Sequence, residues 1–217
     1  MINSGTTFLS FELNEQSPVY GGKDDKLKIK KTNQIKEGKT SNNLHLSFPN
    51  HMGTHIDFPR HFSDKGKTLS NYPASFWIFN KVGFLKCSID KTPEMINTLD
   101  QSIEILILKT GFGKNRGKEN YWKNQPVIPA SYASIFKKQF PKIRVFGFDM
   151  ISLTSMNNKE EGKKAHIKFL LDYDILILED MNLTSINKKP NNIILSPLQI
   201  ENADGVPCTV IANFDKW

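Results

Sequence analysis

Three apolar runs in the second half of the chain indicate buried β-strands. They cover residues 103–108, 144–148 and 174–178. Near-continuous apolar runs are typical of strands that are covered on both faces. The stretches 129–140 and 160–171 lie between these runs and have the length and composition of helices. Strands that alternate with helices in this way predict an α/β fold.

Apolar and polar residues alternate in two segments nearer the N-terminus. Residues 7–12 and 43–48 show the period of two that is expected of strands with one buried face. The polar, lysine-rich stretch between them contains three glycines and predicts loops and an edge hairpin. Residues 111–126 are also polar and rich in glycine, and predict a loop. A loop of this length either covers a site or is a plain surface excursion.

The most concentrated chemistry of the chain lies in residues 51–62, which read HMGTHIDFPRHF. Three of the five histidines fall here, and Asp57 lies between the last two. Imidazole and carboxylate are ligands that zinc, manganese and iron accept, so the segment is a candidate metal site. The histidines and Asp57 occupy odd positions, whereas Met52, Ile56, Phe58 and Phe62 occupy even ones. A strand would place these two sets on opposite faces.

A straight strand could not bring all of these side chains to one ion. Ten residues of strand span roughly 33 Å, which separates His61 from His51, and four residues span roughly 13 Å. The segment must therefore bend. Gly53 and Pro59 are the natural positions for such bends.

Two further candidate ligands occur more than a hundred residues later. His166 shares the apolar face of a predicted helix with Phe169 and Leu170, and Glu179 directly follows an apolar strand. Each has an ordinary alternative, since His166 could be a hydrogen-bonded core residue and Glu179 a helix cap or a surface charge. His45 points away from the leucines of its predicted strand. We interpret it as a surface residue or as a partner of a ligand.

Composition narrows the classes of function. The net charge is +7, but the lysines are scattered among acidic residues and only three arginines are present, so we do not expect nucleic-acid binding. Cys87 and Cys208 match no metal or redox spacing, which favours free thiols in a reducing compartment. We find no signal peptide and no membrane span. We therefore expect residues 1–217 to form a single cytoplasmic domain.

The segment 51–62 resembles the signature of the metal-dependent cyclase or kynurenine formamidase family. Eight of its twelve positions carry the resemblance, in the pattern His51-x-Gly53-Thr54-His55-x-Asp57-x-Pro59-x-His61-Phe62. Other parts of the chain are similar to further elements of this family, so that the resemblance covers nearly the whole chain. These parts are residues 18–22, 106–111, 145–152, 165–183 and 197–207.

The resemblance implies a fold and a cofactor. The fold would be a swivelling β/β/α, cyclase-like fold with a central mixed, barrel-like sheet flanked by helices. The assembly would usually be a homodimer or homotetramer. Each chain would hold two divalent metal ions, Zn²⁺ in the first place or Mn²⁺ as the alternative. By this resemblance, one ion would bind His51, His55 and Asp57, while Asp57 and Glu179 would bridge to a second ion that His166 also binds.

The resemblance also implies an activity, the hydrolysis of a small non-peptide amide. The first choice is an arylformamidase, which converts N-formylkynurenine to kynurenine and formate in tryptophan catabolism. His61 would be the proton donor and acceptor beside the metals. The alternatives are an isatin-like cyclic-amide hydrolase and an inactive metal-binding interaction module. Formamidases of this family carry tryptophan and proline where this chain has Tyr20 and Gly21, and Tyr20 either stacks on an aromatic substrate or simply packs.

Overall fold

The strands and helices follow the apolar segments of the chain. The computed structural model describes residues 5–215. Within this range the strands are β1 Thr6–Phe8, β2 Lys28–Asn33, β3 Asn43–Ser47, β4 His55–Asp57, β5 Ile78–Phe79, β6 Val82–Lys86, β7 Ile105–Lys109, β8 Val145–Phe148, β9 Leu176–Glu179, β10 Asn192–Pro197 and β11 Gly205–Asn213. The α-helices are α1 Thr92–Met95, α2 Asn120–Lys123, α3 Ser131–Gln139 and α4 Lys159–Ile167.

One mixed sheet contains all of these strands except β2 and β3. Its order is β5-β10-β11-β4-β9-β8-β7-β6, and β1 pairs with β11. The strands β6 to β9 run parallel, and the remaining pairs are antiparallel. The two end strands, β5 and β6, are separated in the chain by only Asn80 and Lys81. This short link holds the ends of the sheet near each other, and the predicted mixed, barrel-like architecture is confirmed.

The parallel half of the sheet is the centre of the core. The three apolar runs form β7, β8 and β9, in which every residue is buried, as predicted. The predicted helices are α3 and α4, and α4 continues as a π-helical turn over Lys168–Asp172. Phe136 of α3 packs against Phe146 and Phe169, with ring centroids 5.0 and 5.9 Å apart. Aromatic packing of this kind fixes the helices on the sheet.

The N-terminal alternating segments behave differently from the prediction. The strand β3 pairs only with β2, and all five of its residues are exposed, so the expected half-burial of residues 43–48 is wrong. Leu44 and Leu46 are 58% and 50% exposed. Alternation identifies an apolar face but does not specify what covers it. His45 lies on this exposed hairpin, so its interpretation as a surface residue is confirmed.

The first of the two N-terminal segments is also shorter than predicted. Only Thr6–Phe8 forms a strand in this segment, and the chain beyond it is irregular.

No helix within residues 5–215 is long and apolar enough to cross a bilayer. Cys87 and Cys208 are both free thiols, as predicted.

The short strand β4 lies in the middle of the sheet, between β9 and β11. Its register places His55 opposite Glu179 and Asp57 opposite Gly205. The chain turns sharply on both sides of β4. Gly53 has a φ of +63°, which favours glycine, and a 3₁₀ turn occupies Pro59–His61. The bends that the sequence required are therefore present at both positions.

Candidate metal centre

A cavity of about 380 Å³ opens beside β4. All of the side chains that the sequence singled out for chemistry line it, Tyr20 included. They are Tyr20, His51, His55, Asp57, His61, His166 and Glu179. The odd positions of the motif thus face the cavity. Of the even positions, Met52, Ile56 and Phe58 are fully buried.

Phe62 departs from the predicted alternation. It lines the cavity and stacks on His166, with ring centroids 4.6 Å apart. The 3₁₀ turn over Pro59–His61 explains the departure, because a turn has no two-residue period. Beyond Pro59 the alternation therefore no longer predicts the direction of a side chain.

The first group of candidate ligands comes entirely from the motif. His51 Nδ1 lies 2.8 Å from Asp57 Oδ1, and His55 Nε2 lies 3.6 Å from the same oxygen. In this group, one donor atom from each of the three side chains lies within 4.8 Å of the other two. Two imidazole nitrogens and a carboxylate oxygen at such distances could hold a divalent ion such as zinc and leave a position open.

A second group adjoins the first and shares Asp57 with it. Asp57 Oδ2 lies 3.6 Å from His166 Nε2, which is also 3.6 Å from Glu179 Oε1. The other oxygen of Glu179, Oε2, lies 3.3 Å from His55 Nε2. Each carboxylate therefore faces at least one histidine of each group. Both groups therefore have donors that could hold a divalent metal.

Backbone carbonyls orient two of the histidines. His55 Nδ1 lies 2.8 Å from the carbonyl oxygen of Gly53, and His166 Nδ1 lies 2.8 Å from that of Gly162. A carbonyl accepts hydrogen bonds only, so Nδ1 carries a proton, and Nε2 is the ring nitrogen that faces the carboxylates. His166 is thus hydrogen-bonded inside the core on one side while it faces the centre on the other.

Glu179 is held in place by the segment that follows β8. Its Oε1 accepts hydrogen bonds from Ser152 Oγ, at 3.3 Å, and from the backbone N–H of Leu153. The side chain is buried, and the residue is 2% exposed. A surface charge or a helix cap would not have this environment, so both ordinary alternatives for Glu179 are wrong.

His61 lies at the rim of the site beside an acidic residue to which the sequence reasoning assigned no role. Its Nδ1 is 3.0 Å from Asp204 Oδ2, which is also 3.2 Å from His51 Nε2. Asn50 Nδ2 donates to the other oxygen of Asp204 at 2.7 Å. The distances also allow His51, His61 and Asp204 to hold a metal, so geometry alone permits either role for His61. Asp204 directly precedes β11, and only the pairing of β11 with β4 brings it to the motif.

The electrostatics of the site are those of buried, mutually compensating charges. Burial alone would lower the pKa of His51 and His166, but hydrogen bonds with Asp204 and Asp57 raise that of His51 to about 10. Hydrogen bonds with Asp57 and Glu179 raise that of His166 to about 9. Burial opposes ionisation of Asp57 and Glu179 as well, yet the histidines lower the pKa of both carboxyls. At neutral pH these histidines hold protons that a divalent ion would have to displace.

The segment 111–126 is not a plain loop as predicted, because it contains a 3₁₀ turn over Phe112–Asn115 and the helix α2, and it anchors the site without covering it. Arg116 forms a two-pronged ion pair with buried Asp180, which follows Glu179, and Tyr121 Oη donates to Asp180 at 2.6 Å. The backbone of Asp180 has a φ of +50°, and its carbonyl accepts a hydrogen bond from Thr54 Oγ1 at 2.6 Å. None of the loop residues is among those that line the cavity. The loop therefore fixes the backbone next to two of the candidate ligands.

Comparisons with known proteins agree with this geometry. The model of a family described as "Putative cyclase" matches residues 8–154. A kynurenine formamidase of Bacillus cereus is 31% identical over 171 residues, which are 76% of this chain and 77% of that protein. A kynurenine formamidase of Geobacillus thermodenitrificans is 27% identical over 205 residues, which are 92% of each chain.

Solved structures share the fold. Isatin hydrolase A from Labrenzia aggregata superposes with a TM-score of 0.80 at 19% identity, over 97% of this chain and 94% of that one. An isatin hydrolase bound to the product analogue thioisatinate has a TM-score of 0.78 at 17% identity, over 97% and 92% of the two chains. The family match spans more than half of the chain and includes the whole motif. We conclude that the chain belongs to the cyclase family of hydrolases.

Proposed function

We propose that this protein hydrolyses a small, non-peptide amide with the help of two divalent metal ions. The observation that carries the proposal is the pair of adjoining donor groups that share Asp57, with Glu179 facing a histidine of each group and the His61–Asp204 pair at their rim. The residues present fit such a centre, because nitrogen and oxygen donors point inward and the opposite nitrogens of His55 and His166 are hydrogen-bonded. Zn²⁺ suits these donors first, and Mn²⁺ is the alternative.

The residues of the chain divide the chemistry between them. When bound, the ions would activate a water molecule and polarise the amide carbonyl. The hydrogen bond to Asp204 orients the ring of His61 and leaves Nε2 to exchange protons with the reactants. We infer that His61 takes a proton from the attacking water and delivers it to the amide nitrogen as the C–N bond breaks. An amine is a poor leaving group until it is protonated, so this second step is essential.

We propose an arylformamide, N-formylkynurenine in the first place, as the substrate. The kynurenine formamidases to which the chain is similar at 27–31% identity support this choice. The cavity of about 380 Å³ lies within the size range of small-molecule sites. A cyclic amide such as isatin is the second candidate, and the similarity of the fold to isatin hydrolases favours it. The histidine–aspartate pair at the rim of the centre favours an enzyme over an inactive metal-binding module, because such a pair can exchange protons with reactants.

We further propose that the chain assembles as a homodimer or homotetramer. The β2–β3 hairpin pairs with no other strand among the described residues and is a separate two-stranded sheet. On one face it exposes Ile29, Leu44 and Leu46, with Ile29 directly opposite Leu46. A lone two-stranded hairpin is marginally stable in water. Contact with a second copy of the chain would cover this face.

Purified, metal-loaded protein is expected to hydrolyse N-formylkynurenine, because the cavity combines a metal centre with an acid–base pair. The measurement is the release of kynurenine and formate with added Zn²⁺ or Mn²⁺, and with isatin assayed in parallel. If the protein hydrolyses isatin but not N-formylkynurenine, the substrate is a cyclic amide and not an arylformamide. Inactivity on both compounds with metal bound would contradict the proposal.

Asp57→Ala is expected to reduce metal content from close to two ions per chain to less than one, and to abolish turnover. The reason is that Asp57 supplies one oxygen to each donor group. Metal analysis after dialysis measures the number of ions that each chain retains. The wild-type protein should also release protons as it binds metal at pH 7, because His51 and His166 are protonated before the metal binds. Asp64→Ala, which changes an exposed aspartate two residues after the motif, is the control. Normal metal content in Asp57→Ala would exclude the sharing of Asp57.

His61→Ala is expected to keep both ions and to lose about 10²- to 10⁴-fold in turnover, as is typical of general acid–base groups. Asp204→Asn should lower turnover in the same direction, because it weakens the bond that orients His61. His45→Ala, on the exposed hairpin, is the matched control and should be indistinguishable from wild type. Loss of metal from His61→Ala would make His61 a ligand, and unchanged turnover would remove it from the mechanism.

The wild-type chain is expected to be at least dimeric in solution, and Leu44→Ser combined with Leu46→Ser should shift it toward the monomer. Both leucines are exposed on the same face of the hairpin, so the double change removes apolar area without disturbing the core. Light scattering coupled to gel filtration measures the mass. A monomeric wild type would contradict the proposed assembly.

A further inference from the structure

Most of the uncharged polar side chains that line the cavity already have a hydrogen-bond partner within the protein. Four side chains of this kind line it: Tyr20, Asn50, Ser152 and Thr154. Three of them are already hydrogen-bonded within the protein. The bonds are Asn50 Nδ2 to Asp204 Oδ1 at 2.7 Å, Ser152 Oγ to Glu179 Oε1 at 3.3 Å, and Thr154 Oγ1 with His166 Nδ1 at 3.2 Å.

Tyr20 is the exception among these four. Its hydroxyl oxygen is buried and has no hydrogen-bond partner among the described residues. A buried hydroxyl without a partner is unfavourable, and native proteins contain few of them. Tyr20 and Glu179 line the same cavity, and burial together with the charge of Glu179 raises the pKa of Tyr20. The unused donor is therefore located beside the candidate metal centre.

The backbone holds Tyr20 in a defined place. Tyr20 begins a tight turn over Tyr20–Gly22, in which Gly21 and Gly22 have φ values of +74° and +67°. A Cβ atom at Gly22 would lie 2.8 Å from the indole nitrogen of Trp122, so α2 packs directly against this turn. A donor on a turn that is packed in this way is pre-organised, which is what stabilisation of a transition state requires.

We propose that the Tyr20 hydroxyl donates a hydrogen bond to the carbonyl oxygen of the substrate and strengthens it as negative charge develops there. This inference rests on the proposed amide hydrolysis. An ordinary phenol remains protonated at neutral pH and can donate throughout the reaction. Tyr20 transfers no proton. The oxygen of water forms the new C–O bond, the C–N bond breaks, and the proton of the leaving amine comes from His61.

The hydroxyl role differs from ring stacking in a way that can be measured. Stacking on an aromatic substrate needs only the ring, which Tyr20→Phe retains, whereas Tyr20→Leu removes both ring and hydroxyl. Tyr72 supplies the matched control. Its hydroxyl is also buried without a partner in the part of the chain that the structure describes, but Tyr72 does not line the cavity and packs among Phe58, Phe76 and Trp77.

The experiment compares kcat and KM for N-formylkynurenine in metal-loaded wild type, Tyr20→Phe, Tyr20→Leu and Tyr72→Phe. We expect Tyr20→Phe to lose about 10²-fold in kcat, near the loss seen when one oxyanion donor is removed. Metal content and melting temperature should stay at wild-type values, since the phenyl ring still fills the same space. Tyr72→Phe should leave both kinetic constants unchanged.

Several results would overturn the inference. Wild-type kinetics in Tyr20→Phe together with impaired Tyr20→Leu would assign stacking alone to Tyr20. An increase in KM at constant kcat would show that the hydroxyl binds the substrate and its transition state equally. An equal loss in Tyr72→Phe would reveal a general effect on packing. Inactivity of the wild type is a separate result that contradicts the proposed function itself.

Discussion

The structure depends on the mutual compensation of charges that are buried around Asp57 and Glu179. These carboxylates are 1% and 2% exposed, and burial of a charge without a partner is strongly unfavourable. Three histidines from two places in the chain face them, and hydrogen bonds to backbone carbonyls fix the outer side of His55 and His166. The removal of one member would leave the opposite charge uncompensated. The site therefore requires the whole set and not a single ligand.

Strand β4 makes this cluster possible. It is only three residues long, yet it lies between β9 and β11 and aligns both with the motif. A slip of one residue in its register would turn His55 and Asp57 toward the core and Ile56 toward the cavity. The turns at Gly53 and Pro59–His61 lie on either side of the strand and fix where it begins and ends, which opposes such a slip. The short length of β4 and the bends on both sides of it therefore keep His55 and Asp57 directed into the cavity.

The site has a buried part and an accessible part, and they suit different tasks. The buried part consists of His55, Asp57, His166 and Glu179. Hydrogen bonds to the backbone hold His55, His166 and Glu179 in place, which keeps this donor set rigid. His61 and Asp204 lie at the rim, and their side chains are 31% and 38% exposed. A group that exchanges protons with reactants and water must be accessible. Tyr20 contributes a third element, a buried donor on a turn that is packed against α2.

The sequence by itself determined what depends on neighbours along the chain. Apolar runs identified β7, β8 and β9, alternation put the motif histidines and Asp57 on one face, and strand length required bends at Gly53 and Pro59. These features follow from steric and periodic rules that act over a few residues.

Only the tertiary structure decided which distant groups meet. The contact of Asp57 with His166 spans 109 positions, and that of His61 with Asp204 spans 143. Residue spacing alone gave Glu179 and His166 ordinary alternatives, left Asp204 without a role, and wrongly buried one face of β3. The physical reason is that strand order and register depend on how the whole apolar surface is covered, which no local period encodes.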